Sequence, residues 1–346
     1  MKQVTLDDLS SHLNLSKFSV SRALSGKGGV SERTREQVFD AARELGYDHP
    51  AIDVSGSPAG RRLVLVIPWE DAISSPFWME IVAGAEAEAK RMGYQLTEHL
   101  IKDEGDARAL PRGVRGLILA GRRSRGLLES YLELGNRVVL IGHTKPLEPI
   151  DSVLASSWAS GYLIGRYLGT LGHRHVAYVT DVPEDVGRQE RFRGLCEALQ
   201  DFAGATASSH THQPDTDALG VLRESFRGPE LPTAIFGATD RVALTMAWAL
   251  SEAGLKVPQH VSVAGCHDSD IATQIGVRLT TVHSPMRQVG AAAVQMMDWR
   301  LEHAASDEAV RKLSLQPTLV ERESTGPANP EELRNGALLA GLLQPA

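Results

Sequence analysis

The chain has 346 residues, too many for one compact core, so its length predicts two or three domains. It is 42% hydrophobic and 23% charged, as in an ordinary globular protein, and no apolar run reaches the roughly 18 residues that a membrane span needs. The N-terminus lacks the apolar stretch of a secretory signal, and the two cysteines, Cys196 and Cys266, form no CxxC pair. These features argue against a membrane protein, a disulfide framework and a thiolate metal site. They predict a cytoplasmic protein without a cofactor.

The net charge of −7 disfavours a nucleic-acid partner, but the charge is unevenly distributed. Residues 1–47 hold seven Lys/Arg against six Asp/Glu, a net charge of +1, so the other 299 residues sum to −8. Most of the early cations lie before residue 36. A basic local surface is therefore compatible with the acidic total.

Three short helices are predicted in this N-terminal segment. Thr5, Ser16 and Ser31 are each placed to cap one, since a hydroxyl before an apolar-periodic run is a helix start signal. Leucines three and four apart give the first helix an apolar stripe, and Gly46 is a plausible left-handed terminator of the third. The residues predicted to face inward are Leu6, Leu9, Leu13, Val20, Leu24, Val38, Ala41, Ala42 and Leu45.

The second helix, SKFSVSRAL, presents an aromatic and a cationic side chain away from this interior. Val20 and Leu24 share one face because they are four residues apart. Residues two apart in a helix differ by about 200°, so Phe18 and Arg22 point outward, with Lys17 beside them.

Two short helices with a tight turn, braced by a third, match a helix-turn-helix. The second helix would enter the major groove, where Arg22 can donate two hydrogen bonds to guanine and Phe18 can pack on a thymine methyl. Thr5, Ser16 and Ser31 are placed where phosphates could sit. The alternative is a helical protein-interaction module with a solvated basic rim. A phosphate-cradling reading of GKGG is weak, because no strand precedes it and no GK[ST] follows.

From residue 62 the pattern changes to short apolar strands that alternate with amphipathic helices, as in doubly wound α/β units. Six or more units over 260 residues suit two lobes with a cleft at the carboxyl ends of the strands. The predicted strands are 63–68, 116–121, 138–142, 175–180, 233–238 and 261–265.

The N-terminal segment strongly resembles the DNA-binding headpiece of the lactose-repressor (LacI/GalR) family. The resemblance rests on VTL, the VSRAL core, the VSERTREQV run and the closing ELGY, over more than forty residues without a gap. It implies that Lys17, Phe18 and Arg22 occupy the base-reading positions of the family. The residues predicted to contact DNA are Thr5, Ser16, Lys17, Phe18, Ser21, Arg22 and Ser31.

The rest of the chain resembles the same family in SPFWMEIVAGAEAEAKRMGY, DSVLASSWASGYLIGRYLGTLGHRHVAYV, GRQERFRGLCEAL, ATDRVAL and LTTVHSP. The fold class implied is α/β: an N-terminal all-α helix-turn-helix headpiece joined to a two-lobed, periplasmic-binding-protein-like, doubly wound effector domain. The chain is expected to cross between the lobes at 279–285, and KLSLQPTLVERES to supply one strand of the C-lobe. A segment around 103–113 looks shorter than is usual in the family.

The resemblance also implies an effector site. Arg191, from RFRG, matches an arginine that usually binds sugar hydroxyls or a carboxylate, and Asp240, from TDRVA, matches half of an Asn-Asp pair. Trp78 and Trp158 could instead be core aromatics, and Arg191 could merely pair with Glu190 or another carboxylate. The residues predicted to bind effector are Ser75, Phe77, Trp78, His143, Trp158, Arg191, Asp240 and His267.

Three positions depart from the family pattern. Thr239 replaces the usual Asn, Ala155 stands where an acidic residue is common, and His267 replaces an Asp that accepts from ligand hydroxyls. Our hypothesis from this loss of acceptors is an effector more anionic, or poorer in hydroxyls, than a neutral sugar. His210 and His212 look like a metal pair, but no third ligand is spaced to join them, so we predict loop residues and no metal site.

The predicted domains are a headpiece at 1–47, a hinge at 48–61, an effector domain at 62–326 and an extension at 327–346. The N-lobe is predicted at 62–157 and 285–311, and the C-lobe at 158–284 and 312–326. In the family the hinge forms a helix that wedges a leucine into the minor groove. No leucine lies between Leu45 and Leu63, and Ile52 or Val54 would have to substitute. Leucines near 338–343 suggest a minor contact, since they are too few for a coiled coil.

The function predicted is a homodimeric transcriptional regulator, a repressor, that binds a pseudo-palindromic operator in double-stranded DNA under control of a sugar-like effector. A solute-binding protein is the first alternative, against which the headpiece argues. An enzyme is the second. No GxSxG elbow, GxGxxG, GxxxxGK[ST] or HExxH motif is present to support it.

Overall fold

The structure is a computed structural model, and it divides into two compact units. The first unit comprises Met1–Val153 and Arg287–Lys312, and the second comprises Leu154–Met286 and Leu313–Ala346. No helix within the described part of the chain is both long and apolar enough to span a membrane. The structure describes residues 4–24, 30–45, 47, 61–68, 76–102, 110, 113–121, 125–133, 137–144, 148–212, 217–227, 230–274, 276–303 and 309–334.

The headpiece contains three helices with side-chain caps where the sequence predicts them. Thr5 caps the first helix in a capping box with Asp8, and Asn14 ends that helix in the left-handed conformation. The backbone N–H groups of Ser19 and Thr34 donate to the hydroxyls of the capping residues of the second and third helices, at 3.1 and 3.2 Å. The helices are α1 (Leu6–Leu13), α2 (Lys17–Leu24) and α3 (Glu32–Leu45).

These helices enclose a small apolar core of their own. Leu6, Leu13 and Leu45 lie at its edge, half-buried, rather than inside it. The predicted stripes are confirmed by the fully enclosed set, which is Leu9, Val20, Ala23, Leu24, Val38, Ala41 and Ala42. The loop 25–29, the predicted terminator Gly46 and the hinge at 48–60 lie outside the described residues.

The first unit contains most of a six-stranded sheet in the order β11-β5-β4-β3-β1-β2, of which the end of β5 and most of β11 belong to the second unit. The pairings of β1 with β2 and β3, and of β4 with β3 and β5, are all parallel. Its strands are β1 (Arg62–Pro68), β2 (Gln95–Ile101), β3 (Val114–Ala120), β4 (Arg137–Ile141), β5 (Asp151–Ala155) and β11 (Lys312–Leu315). Its helices are α4 (Pro76–Arg91), α5 (Arg125–Glu133) and α11 (Met286–Glu302).

The second unit contains a four-stranded parallel sheet in the order β7-β6-β8-β9. Helices cover both of its faces, with one core around Leu222 and Leu250 and another around Leu168 and Leu195. The strands are β6 (His175–Thr180), β7 (Thr206–Thr211), β8 (Ala234–Gly237) and β9 (Ser262–Ala264). The helices are α6 (Ser157–Thr170), α7 (Val186–Leu199), α8 (Ala218–Ser225), α9 (Asp240–Glu252), α10 (Ile271–Gln274) and α12 (Pro330–Arg334).

Two sequence predictions about these strands are wrong. KLSLQPTLV forms two strands rather than one: β11 joins the six-stranded sheet, while β12 (Thr318–Val320) pairs antiparallel with β10 (Thr281–His283). Pro317 separates them, because proline donates no backbone hydrogen bond to a ladder. His210 was expected in a loop but lies within β7, and His212 directly follows that strand. β7 is an edge strand with only β6 as its neighbour, so it can carry polar residues. Because of these polar residues, the apolar pattern does not predict the strand.

Candidate DNA-binding and effector-binding sites

Helix α2 exposes the aromatic side chain that the sequence directs outward. Phe18 is 67% exposed, whereas Val20 and Leu24, on the opposite face, are buried in the headpiece core. The guanidinium of Arg22 lies 5.2 Å from the centroid of the Phe18 ring, one helical turn away. This cation–π contact orients both groups on one surface while leaving them accessible.

Two further residues of the predicted DNA-binding set lie on the same exposed helix. The ammonium of Lys17 forms an ion pair with Asp7 of α1, and both side chains are more than half exposed. Ser21 is exposed as well. An exposed ion pair contributes little stability, so this contact does not commit Lys17 to α1.

The three capping hydroxyls differ in what they leave for a phosphate. Thr5 donates its hydroxyl proton to the Asp8 carboxylate at 2.7 Å, and its backbone N–H donates to the same oxygen. A carboxylate therefore occupies the N-terminus of α1. Ser16 and Ser31 accept from the backbone N–H groups of Ser19 and Thr34, both are exposed, and among the side chains that the structure describes no carboxylate bonds to either. These two remain better placed for an anion than Thr5.

In the second unit, Arg191 and Asp240 are the two buried residues among the described members of the predicted effector set. Arg191 extends from α7, is only 5% exposed, and donates to the backbone carbonyl of Ala238 just beyond β8. Its Nε atom has no hydrogen-bond partner among the described residues. The alternative of an ion pair with Glu190 is wrong, because Glu190 pairs with Arg193 at 3.1 Å.

His267 follows β9 at the same edge of the sheet. Its backbone adopts φ = 107°, which is uncommon for a residue with a side chain and is found at functional sites. Its Nδ1 atom lies 3.3 Å from the Ser284 hydroxyl. Desolvation holds the pKa of His267 well below its usual range, and the nearby guanidinium groups of Arg191 and Arg188 lower it further. The imidazole is therefore neutral at physiological pH.

Asp240 is buried, and its carboxylate is fully engaged inside the protein. One oxygen accepts from the Thr281 hydroxyl at 2.5 Å, and the other accepts from the backbone N–H and hydroxyl of Ser269 at 2.7 and 2.8 Å. Burial raises the pKa of Asp240 to about 6, although these hydrogen bonds oppose the rise. The structure thus gives Asp240 a role in fixing the loop after β9, and its predicted contact with effector remains a prediction.

Sequence reasoning missed several polar neighbours of Arg191 and His267. Arg188, one turn before Arg191 on α7, pairs with Asp181 at 2.9 Å and lies 3.6 Å from Asp185. The thiol of Cys266 is enclosed by the hydroxyls of Ser160 and Ser284, and burial raises its pKa. The spacing of Arg188 and Arg191 in GRQERFRG was the available signal for the arginine pair.

Each of the aromatic residues predicted to bind effector makes contacts within its own unit. Trp158 is half-buried, donates its indole N–H to Glu197 at 2.9 Å and stacks on Tyr162. Phe77 and Trp78, in the first turn of α4, make an edge-to-face contact in the first unit.

Two further residues, His143 and Ser75, are predicted to bind effector from the first unit. His143 lies two residues after β4 and is half-buried. Ser75 lies outside the described residues. Within the described ranges, no cluster of three or more potential ligands could hold a metal ion.

A helix-turn-helix with an exposed basic-aromatic helix, followed by parallel α/β units, defines a DNA-binding regulator with a separate ligand-binding domain. Comparison with known proteins agrees. Residues 5–50 match the family described as bacterial regulatory proteins, lacI family, and residues 166–325 match the periplasmic binding protein-like domain.

Full-length relatives have the same organisation. The transcriptional regulator DegA of Bacillus subtilis is 26% identical over 94% of this chain and 99% of its own length. The transcriptional repressor PurR of Aliivibrio fischeri is 27% identical over 92% and 98%. The solved complex of the regulator CelR with cellobiose superposes with a TM-score of 0.67 at 26% identity, covering 93% of this chain and all of the other.

The chain carries the DNA-binding domain of the lacI family and a periplasmic binding protein-like domain, and its full-length relatives are transcriptional regulators and repressors. It is a DNA-binding repressor and not an enzyme, which confirms the prediction drawn from its motifs.

Proposed function

We propose that this protein is a cytoplasmic homodimeric repressor whose affinity for a pseudo-palindromic operator is set by a small-molecule effector, a sugar or sugar derivative. The effector would be bound in the domain spanning residues 62–326, with the headpiece at 1–47. The observation that carries the proposal is the exposed Phe18–Arg22 surface, which no packing requirement of the headpiece explains. The Phe18 ring is largely exposed and lies beside the Arg22 guanidinium, so the two groups together offer an apolar and a cationic contact to a partner.

The Phe18–Arg22 surface suits the major groove. Arg22 can donate two parallel hydrogen bonds to the O6 and N7 atoms of guanine, and the Phe18 ring can pack on the methyl group of a neighbouring thymine. Lys17 and Ser21 extend the same face toward base edges or the backbone. Ser16 and Ser31, at helix N-termini, would contact phosphates and fix the register of α2.

The second unit supplies the effector site. Arg191 and His267 lie where β8 and β9 end, which is where ligands bind in open α/β sheets. A relative of similar fold binds cellobiose, which makes a carbohydrate the natural starting class for a screen. Phe77, Trp78, His143 and Trp158 remain proposed contributors, since aromatic faces suit the apolar faces of sugar rings.

The effector would act by population shift. It changes DNA affinity only to the extent that it binds the DNA-competent and incompetent states with different affinities. Two headpieces held in a dimer raise the effective concentration of the second on its half-site, which compensates for the small net charge of each.

The experiment is selection of bound DNA from a random pool by the full-length protein, with and without candidate metabolites. We expect a recurring motif of two inverted half-sites, and enrichment that changes when an effector is present. Recovery of unrelated sequences at low ionic strength would contradict the proposal.

The Arg22→Ala variant tests the base contact directly. It should cost about 1–3 kcal/mol of operator affinity and relax preference at one base pair in each half-site. Equal weakening on every sequence would assign Arg22 to the phosphate backbone instead.

A further inference from the structure

Arg61, the last residue of the predicted hinge, is attached to the first unit by both its backbone and its side chain. Its carbonyl oxygen accepts a hydrogen bond from the backbone N–H of Gln95 at 2.8 Å. Its guanidinium donates to the backbone carbonyl of Met92 at 3.0 Å and lies 5.9 Å from the centroid of the Tyr94 ring. Three groups therefore hold the residue that directly precedes β1, although that residue is exposed.

The end of helix α4 is shaped to receive this guanidinium. Gly93 ends the helix in the left-handed conformation, at φ = 75°, with the backbone hydrogen bonds of a Schellman motif. The Met92 carbonyl lies at the negative end of the helix dipole, where a cation is favourable. A Cβ atom on Gly93 would lie 2.6 Å from the Nη1 atom of Arg61, so a side chain at position 93 would displace the arginine.

Tyr94 is itself fixed by a contact with a second helix. Its hydroxyl donates to the carboxylate of Asp298 in α11 at 2.6 Å, and burial together with this hydrogen bond raises the pKa of Tyr94 to about 12. Helix α11 packs on α4 at backbone contact, since a Cβ atom on Gly84 would collide with the carbonyl oxygen of Arg287. The ring that contacts Arg61 is therefore supported by two closely packed helices.

The place of Arg61 in the chain gives this anchor a consequence for DNA binding. An exposed arginine at the end of a helix adds little stability. Residues 5–50 match the DNA-binding domain of the lacI family and β1 begins at Arg62, so the chain that connects the headpiece with β1 passes through Arg61. Because one residue extends the chain by at most about 3.6 Å, the direction of the chain at Arg61 restricts the positions that a headpiece can reach.

We propose that Arg61 is a positioning residue for operator recognition. Its anchor on Met92 and Tyr94 fixes the direction in which the chain leaves the first unit toward the headpiece, and thereby selects the spacing between the two half-sites of the operator. Two linked headpieces gain affinity from each other only when the geometry lets both bind at once. This inference rests on the proposed function, because it concerns the two headpieces of the proposed homodimer on one operator.

The test measures binding of the full-length protein to duplexes that differ only in the spacing of their half-sites. The probes carry the inverted half-sites recovered by selection, at the recovered spacing and with one or two base pairs added or removed. A further duplex carries a single half-site. For the wild type, fluorescence anisotropy should show affinity falling about tenfold or more when the spacing changes, since simultaneous binding is then lost.

Two substitutions of Arg61 separate positioning from the other roles of the residue. Arg61→Met removes the guanidinium and should bring the affinities for all spacings within about threefold of one another, while binding to the single half-site stays unchanged. Arg61→Lys keeps a cation that can donate to the Met92 carbonyl, so it should retain part of the spacing preference. Because Arg61 is exposed, both variants should unfold at nearly the same temperature as the wild type.

Two further variants show whether the anchor or the charge is responsible. Tyr94→Leu removes the ring under the guanidinium and should weaken the spacing preference without the loss of a cation. Arg62→Met is the matched control. It removes the neighbouring cation, whose guanidinium donates to the Gln95 side chain at 3.3 and 3.4 Å, and should leave the spacing preference unchanged.

A wild type that binds every spacing equally, or an Arg61→Met variant that keeps the wild-type preference, would overturn the inference. Equal effects of Arg61→Met and Arg62→Met would also overturn it, because the loss of charge alone would then explain the result. If Arg61→Met fails to fold, an unchanged preference in Tyr94→Leu has the same meaning. In each of these outcomes the single half-site is still recognised, whereas a wild type without sequence-specific binding would overturn the proposed function.

Discussion

At the scale of single residues, Phe18 and Val20 illustrate how one helix serves two purposes. They are two positions apart on α2, yet Phe18 is 67% exposed while Val20 is fully enclosed by the headpiece core. The helical period alone produces this separation, since one face of α2 packs on α1 and α3 and the other faces solvent. Headpiece stability and the proposed DNA contacts are thus assigned to different residues of the same short helix.

Alanine substitutions should separate these two roles. Phe18→Ala removes no buried contact, so we expect the free energy of unfolding to change by less than about 0.5 kcal/mol while operator affinity falls. Val20→Ala removes buried methyl groups and should cost roughly 1–3 kcal/mol of headpiece stability. Urea unfolding and fluorescence anisotropy on an operator duplex measure the two quantities. A large stability loss in Phe18→Ala would mean that the ring is part of the core.

Asp240 should make the protein less stable as pH rises, which is the opposite of the usual effect of an aspartate. Its pKa is raised to about 6 by burial, above the ordinary value for an aspartate, so the protonated form favours folding. That contribution is complete below about pH 4 and is lost as pH rises through about 6. The effect at neutral pH is on the order of 2–3 kcal/mol.

Asp240→Asn should remove this dependence without breaking the network. The amide oxygen can accept from Ser269, and the amide NH2 can donate to the Thr281 hydroxyl. We expect the variant to exceed wild type in free energy of unfolding by an amount that grows between about pH 5 and pH 7.5. Urea unfolding across that range provides the measurement, and a difference that does not vary with pH would show that the carboxylate is charged throughout.

At the scale of elements, the packing of α6 against α7 positions Arg191. A Cβ atom on Gly161 would collide with the carbonyl oxygen of Arg191, and one on Gly194 would collide with that of Trp158. The two helices therefore approach at backbone contact, where only glycine fits. Arg191, which we propose contacts effector, is thus held by this helix crossing rather than by a loop.

Gly161→Ala should destabilise the second unit by about 1–3 kcal/mol and weaken effector binding, because α7 must move. Gly220→Ala is the matched control. Gly220 lies in α8, where a Cβ atom would meet Asp217 at an ordinary 3.8 Å, so alanine should stabilise by roughly 0.5–1 kcal/mol. Thermal unfolding of both variants gives the comparison, and equal effects would show that α6 and α7 have room to separate.

How much of the fold the sequence predicts depends on how each strand is buried. β1, β3, β4, β6, β8 and β9 are runs of apolar residues and are predicted to within two residues at each end. β2 and β7 are edge strands with polar residues on one side, so QLTEHLI and TASSHT carry no continuous apolar signal. β5, DSVLA, is only five residues long and begins with two polar residues. A strand that is buried on both faces can be recognised in the sequence because it is a continuous apolar run.

The candidate site divides in the same way. Arg191 and His267 were predicted and lie at one edge of the sheet, and the outward face of α2 followed from spacing alone. The engagement of Asp240 with Thr281 was not predictable, because the partners lie 41 residues apart and meet only through the tertiary fold. Trp158 pairs with Glu197 for the same kind of reason. Local sequence patterns do not predict side-chain pairs that form between segments distant in the chain.

At the scale of the whole molecule, the DNA-binding domain and the periplasmic binding protein-like domain are separate parts of the chain. The headpiece residues carry a net charge of +1 within a protein of net charge −7. Operator affinity should therefore depend on base contacts and on dimerisation more than on bulk attraction. We expect it to fall linearly with salt on logarithmic axes, with a slope set by the few phosphates contacted. Titrations at several salt concentrations measure this slope, and no dependence on salt would exclude phosphate contacts altogether.

The central claim is that ligand bound near Arg191 governs sequence-specific DNA binding by the headpiece. The most direct test is fluorescence anisotropy of the full-length protein on a selected operator and on a scrambled duplex, with and without the compound that most stabilises the wild type. The account predicts tight binding to the operator alone, a change in that affinity when ligand is added, and no such change in Arg191→Met. Equal affinity for operator and scrambled duplex, or the same response to ligand in Arg191→Met as in wild type, would contradict it.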